Sequence, residues 1–290
     1  MPNYNILYEV MRRRYMSQNS VVDYNIRYLT IESLEDNNTI SFTNDIDYKI
    51  ENSEWQTLTK NTKVSVNNGQ FIYFKGALTP TSSAGIGTFT ITKNCNVSGN
   101  IMSLLFNDDF KKQKSLKNNN YAFYKLFYNC IKIIESNNLI LPATTLSNYC
   151  YRGMFQNCSS LVNTPILSAT SLTTDCYREM FYGCENLTTV SIDAILSKLT
   201  TINNSAFKNC GSLISFNLPV NLKVIGNYAF EYCSSLTSIT IPDSVTSIGY
   251  GAFKDCTSLT SITIPDSVTS IGNYAFYNCK SLTDVYYGGS

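Results

Sequence analysis

Histidine is absent from this 290-residue chain. That removes Ser–His–Asp and Cys–His nucleophile systems, imidazole acid–base chemistry and histidine metal ligands. Charge is scarce too: 15% of residues are charged, and the formal net charge is +1. A balance so close to neutral argues against tracking a phosphate backbone, and so against a nucleic-acid partner. No run of 18 apolar residues occurs, so no membrane insertion is expected. The start, MPNYNILYEVMRRRYMSQ, has no apolar stretch behind a basic end, and a signal peptide is not expected in it. What the chain has instead is Ser, Thr and Asn, roughly a third of all residues. Neutral-polar skins over repeated strands produce that composition; charged helical surfaces do not.

Ten cysteines would suit a disulfide framework, but their spacing points elsewhere. Seven stand in one context, Phe-x-x-Cys: Cys130, Cys158, Cys184, Cys210, Cys233, Cys256 and Cys279, at intervals of 28, 26, 26, 23, 23 and 23 residues. This is a structural repeat. In its clearest unit Leu236, Ile239, Ile241, Pro242, Val245, Ile248, Gly249, Ala252, Phe253 and Cys256 form one register, and adding or subtracting 23 keeps the apolar type at every position. Residues 236–241 read as a short strand, ended by Pro242 because proline cannot donate to a ladder. Val245 to Ile248 reads as a second extended piece. Gly249 is expected to supply a positive φ, with Asn203 tolerated at a matching place. Ala252, Phe253 and Cys256 suggest a single helical turn. The units at Cys150–Met154 and Cys176–Met180 suggest a helical piece grown by about one turn. Each unit is thus one coil of a solenoid. Strands stack about 4.8 Å apart, so about seven coils make a rod on the order of 35 Å long.

The string IPDSVTSIG-x-x-AF-x-x-C-x-S-L resembles the BspA-like leucine-rich repeat. The longer units, LILPATTL through CYRGMFQNCSSL, resemble a sister form found in surface proteins of gut bacteria and in their tailed phages. Upstream, WQTL at Trp55, LTPTSSAGIGTF at Leu78–Phe89 and GNIMSLLFNDDF at Gly99–Phe110 resemble the β domain that precedes such repeats. The resemblance covers nearly the whole chain. It implies binding and adhesion, not catalysis, because a solenoid is a platform.

Residues 27–110 read as a small antiparallel β domain of sandwich-like type, from alternating runs such as YLTIESL, TISFT, KVSV and QFIYFKG, with Trp55 as core anchor. Residues 111–120 read as a polar linker or a cap, and 121–290 as the solenoid. Residues 1–26 are helical in spacing and basic at Arg12, Arg13 and Arg14. They read either as a helix packed on the β domain or as an anchor to a larger assembly.

The expected fold class is therefore β-rich (α+β). The thiols are expected as reduced, buried core groups, Cys95 standing outside the repeat. No cofactor or metal site is expected, since thiolate clusters of the C-x-x-C kind are missing. Asp45, Asp47, Asp108 and Asp109 read as turn and cap residues. Outward strand positions form two rows, Ser215, Ser238, Ser261 and Asp284 beside Asn217, Thr240, Thr263 and Tyr286; these are the binding candidates. Tyr182 and Tyr277 join them, because the place after the repeat Phe admits Gln156, Lys208, Glu231 and Lys254 elsewhere and is therefore expected to be exposed. Val285 and Tyr287 should form an open apolar edge, cut short or covered by another chain. The expected function is a non-enzymatic displayed subunit, a phage virion component such as a fibre, decoration or tail-associated protein. The alternative is a bacterial cell-surface adhesin. Partners would be other chains of an assembly (a homo-oligomer or virion neighbours) and a host surface protein or glycan, with a virion or extracellular location.

Overall fold

The computed structural model describes residues 27–82, 84–167, 169, 173, 175–188, 190 and 199–288. Arg12, Arg13 and Arg14 lie outside them. The first part contains eight strands: β1 (Leu29–Ser33), β2 (Asn38–Phe42), β3 (Ile46–Ile50), β4 (Gln56–Leu58), β5 (Lys63–Val66), β6 (Phe71–Lys75), β7 (Phe89–Ile91) and β8 (Cys95–Asn100). Strands β5-β2-β7 make a three-stranded antiparallel sheet. The others join β9 (Ile133–Leu141) and β10 (Ile166–Leu167) in a seven-stranded sheet, β10-β9-β8-β1-β6-β3-β4. The two sheets meet where Phe74 of β6 lies against Phe89 of β7 at 4.9 Å, and Phe42, the partner of Phe89 across β2 and β7, packs on the same ring at 4.5 Å. These three rings, almost fully buried, anchor the core. Trp55 does not: it is half-buried on the surface, edge-on to Tyr28 at 4.9 Å, with the Lys75 ammonium 4.5 Å from its ring. A tryptophan beside charged strand neighbours keeps a wet face, and cation–π attraction occupies it.

The large sheet changes character at β8. It is antiparallel from β4 to β8 and parallel from β8 through β9 to β10. The β domain therefore passes hydrogen bonds directly to the first coil. Strand β8 escapes a reading by alternation because Gly99 interrupts it; the glycine has a left-handed φ of +81, and an added Cβ would overlap the Tyr28 carbonyl. The segment after β8 forms a four-residue helix, Ser103–Phe106, and a 3-10 helix, Asn107–Lys112. Leu116 then buries fully and donates its N–H to Thr145.

Beyond β9, coils stack in register through short parallel strands: β11 (Thr201–Ile202), β12 (Val224–Ile225), β13 (Ser247–Ile248) and β15 (Ser270–Ile271), with each pairing 23 residues on. On another side β14 (Ser261–Pro265) pairs with β16 (Asp284–Gly288). The repeat Phe residues form a continuous stack from Phe89 through Phe127, Phe155, Phe181, Phe207, Phe230 and Phe253 to Phe276, with centroids 5.3–5.8 Å apart.

Two local expectations are corrected. The Ala-Phe-x-x-Cys segment is not a helical turn. It is a chain of turns with a left-handed residue every fourth position: Tyr121, Lys125, Asn129; Tyr149, Gly153, Asn157; Asp175, Glu179, Gly183; then Ser205, Asn209; Tyr228, Tyr232; Gly251, Asp255; Tyr274, Asn278. Alternate N–H groups bond locally, as Tyr124 to Tyr121. The others cross to the next coil, as Phe123 to Cys150, Lys125 to Arg152 and Phe127 to Met154. Those cross-coil bonds compensate the left-handed conformations, which cost L-residues about 1–2 kcal/mol each. The units ending at Cys130, Cys158 and Cys184 carry three such residues and the later units two. The second correction concerns Gly226, Gly249 and Gly272. None has a positive φ, and neither has Asn203. They are glycine because the preceding coil's backbone comes too close: a Cβ on Gly249 would sit 2.6 Å from the Asn227 nitrogen.

Candidate functional site

All ten cysteines are free and buried. The seven repeat thiols have a common role. Each donates to the carbonyl of the Phe one coil back: Cys158 to Phe127 at 3.0 Å, Cys184 to Phe155 at 3.2 Å, Cys210 to Phe181 at 3.3 Å, Cys233 to Phe207 at 3.2 Å, Cys256 to Phe230 at 3.2 Å and Cys279 to Phe253 at 3.1 Å. Cys130 does the same to Phe89 in β7 at 3.1 Å, so the β domain serves as a coil for the first repeat. Burial pushes these thiols up, Cys130 and Cys233 to about 12. A thiol held protonated is neither nucleophile nor metal ligand. Among the described residues no group of three or more Cys, Asp or Glu is placed to hold a metal ion.

The Ser and Thr excess is spent in a parallel way. Thr237 Oγ1 donates to Ile214 O, Thr260 to Thr237 O and Thr283 to Thr260 O, at 3.3–3.4 Å, each one coil back. Thr246 and Thr269 repeat the pattern on the other strand column at 3.2 Å. Much of the outer skin is therefore coil-to-coil bonding.

The candidate rows fall where stacking puts them. Ser215 bridges Ser238, and Ser261 and Thr263 pair with Asp284 and Tyr286. All are exposed except Ser261, which is half-buried. Asn217 and Thr240 line a shallow open groove of ≈ 460 Å³ with Val220, Pro242, Asp243 and Ser244. The column after the repeat Phe differs from expectation. Glu231 is buried, and Tyr128, Gln156, Tyr182, Lys208 and Lys254 are half-buried, because each is covered by its neighbours in the stack. Glu231 holds Lys208 at 2.6 Å and Lys254 at 3.0 Å, and the Lys208 ammonium lies 5.8 Å from the Tyr182 ring centroid. Only Tyr277 of this column is open, in the last described coil.

That coil also opens the apolar ladders. Ile202, Ile225 and Ile248 are buried while Ile271 is 45% exposed, and Val285 and Tyr287 are 44% and 74% exposed. Of the acidic candidates, Asp45 accepts the Lys60 N–H at 2.7 Å and Asp47 accepts from Thr57. Asp108 takes the Tyr28 hydroxyl at 2.5 Å and Lys75 at 2.8 Å, and those two hydrogen bonds hold its carboxyl below the usual range.

Sequence reading missed one cluster. Tyr228, Tyr250, Tyr274 and Tyr277 touch ring to ring although no single unit is rich in tyrosine. Reading the tyrosines modulo 23, across two neighbouring columns, would have shown Tyr228, Tyr250 and Tyr274.

Stacked parallel strands, an aromatic stack and thiol staples define a repeat solenoid of leucine-rich type. The chain belongs to the BspA-type leucine-rich repeat family, whose model matches residues 88–199 and 200–290 in six copies. That match begins inside the β domain, beside Phe89. Among solved structures, a leucine-rich repeat protein from Bacteroides ovatus is similar over 72% of this chain and 50% of its own, with 24% identity and a TM-score of 0.52. The chain thus spans half the length of that relative. The leucine-rich repeat protein TpLRR from T. pallidum is 28% identical over 53% of this chain and 73% of its own, with a TM-score of 0.43. No curated protein sequence matches the chain.

Proposed function

We propose that the protein is a non-enzymatic binding and adhesion platform displayed on a surface, built as about seven coils behind a sandwich-like β domain. The observation that carries this reading is the use of the chemistry-bearing residues. The seven repeat thiols and the recurring hydroxyls bond one coil to the next, and Asp45, Asp47, Asp108 and Glu231 take structural partners. Family membership supports the same reading, because repeat solenoids present extended faces to partners. No helix among the described residues is long and apolar enough to cross a membrane.

Beads coated with the purified chain should adhere to cells, matrix proteins or glycan-bearing surfaces, and adhesion to none of them would refute the proposal. A bacterial cell surface is the setting that the family supports. The virion setting, as fibre, decoration or tail-associated subunit, rests on sequence features that include Arg12, Arg13 and Arg14. Mass spectrometry of purified virions and protease shaving of intact bacterial cells separate the two settings.

A further inference from the structure

Coil stacking assembles an aromatic file from tyrosines that are scattered in the sequence. Tyr228 and Tyr274 occupy one column, two periods apart, with Gly251 between them; Tyr250 stands in the adjacent column of the middle coil. The Tyr228 ring lies against Gly251, where an added Cβ would come within 3.0 Å of it. Tyr250 fills the space beside that glycine. The result is a zigzag along the solenoid axis: Tyr228 to Tyr250 at 5.2 Å, Tyr250 to Tyr274 at 5.5 Å, and Tyr274 to Tyr277 at 5.6 Å. The last three rings are 38%, 54% and 56% exposed.

Two features mark this file as built for contact. Its backbone is pinned, since Asn204 Oδ1 accepts the Asn227 N–H at 2.8 Å and Asn227 Oδ1 accepts the Tyr250 N–H at 2.9 Å. The charge beside the file is internally compensated, because Lys208 and Lys254 close on Glu231 and Lys254 also lies 3.7 Å from Asp255, two cations against two carboxylates.

We propose that this file binds a neutral polysaccharide, laid along the solenoid axis over phenol rings that meet edge to face at 65–83°. Tyrosine supplies a rigid apolar face and a polar tip at low entropic cost, which suits a ligand with C–H faces and hydroxyl edges. The ring spacing is close to the length of one sugar ring, and the compensated charge gives an anionic chain no advantage. This inference deepens the platform reading and rests on it.

The test is binding of the whole chain to immobilised neutral polysaccharides (glucans, mannans and galactans), with a sulfated glycan and matrix proteins in parallel. The double variant Tyr250→Ser/Tyr274→Ser should lose at least tenfold in affinity for a neutral polysaccharide. The β-domain surface variant Lys63→Ala/Ser65→Ala, at exposed positions of β5, should retain it. Thermal melting confirms that both variants fold, and Tyr250→Phe/Tyr274→Phe, which keeps the rings, should retain most binding. Unchanged binding in the serine variant would overturn the site. Absence of binding to any neutral polysaccharide, or tighter binding to the sulfated glycan, would overturn the ligand class. Adhesion of the same wild-type protein to cells or matrix would then show that the platform reading survives without it.

Discussion

The thiol of Cys256 donates to the carbonyl oxygen of Phe230, one coil back and 3.2 Å away. The same oxygen accepts the Cys233 N–H at 3.1 Å, so one carbonyl ties its own turn and the next coil together. Cysteine suits the site because it is a small hydrophobe that still carries a donor. Replacing Cys256 by Ala should cost about 1–2 kcal/mol, from a small cavity and a lost weak hydrogen bond. Denaturant unfolding of the variant measures it.

Burial makes the thiols a pH-dependent term. Cys130 and Cys233 are raised to about 12 and Cys176 to about 11, from 9.0. A group with a raised folded pKa contributes fully below its unfolded value. Above pH 9 the unfolded chain loses thiol protons that the folded chain keeps, so stability falls between pH 9 and 12. Each such thiol removes about 1.4 kcal/mol per pH unit in that window. Denaturation midpoints should therefore drop steeply there. At pH 8 a thiol reagent should find no reactive cysteine in the folded protein and all ten after unfolding.

Phe89 belongs to β7, yet its ring stacks on Phe127 at 5.5 Å and its carbonyl accepts the Cys130 thiol. Phe89→Ala should destabilise by about 3–5 kcal/mol. Because β8 and β9 share a sheet, fluorescence of Trp55 in the β domain and far-ultraviolet dichroism of the coils should shift to the same lower midpoint.

Left-handed positions offer a test of opposite sign. Asn209 has φ 61 and is half-buried, and Gly183 and Gly251 show that glycine fits such places. Asn209→Gly should leave stability unchanged or raise it by up to about 1 kcal/mol. Gly251→Val should lower it by more than that, since a branched side chain meets both the positive φ and the Tyr228 ring. Paired thermal melts check the contrast.

Glu231 is the buried acceptor for two ammonium groups. Glu231→Ala should cost about 1–3 kcal/mol. The lysine heads are partly exposed and can turn to water, which keeps the cost below that of a stranded buried charge. Urea unfolding of E231A beside K208A/K254A tests whether the three act as one unit.

The sequence by itself determined the repeat. A 23-residue register of Leu, Ile, Phe and Cys can bury its apolar side only by stacking, so coils follow from periodicity alone. Six of the β-domain strands were legible for the same reason, because alternation at period two is local. Tertiary structure decided what neighbours across coils do to one another. Spacing of Ala252, Phe253 and Cys256 looks helical, but half of the N–H groups in such segments bond to the next coil, and that interaction favours left-handed turns over a helix. Gly249 looks like a turn residue, but it is fixed by the Asn227 backbone 22 residues earlier, in the preceding coil. The place of Tyr182 looks tolerant and therefore exposed, but the stack covers it. Tyr228, Tyr250 and Tyr274 look unrelated until three coils set their rings in one file. Each of these depends on contacts between residues about one period apart, which no local pattern records.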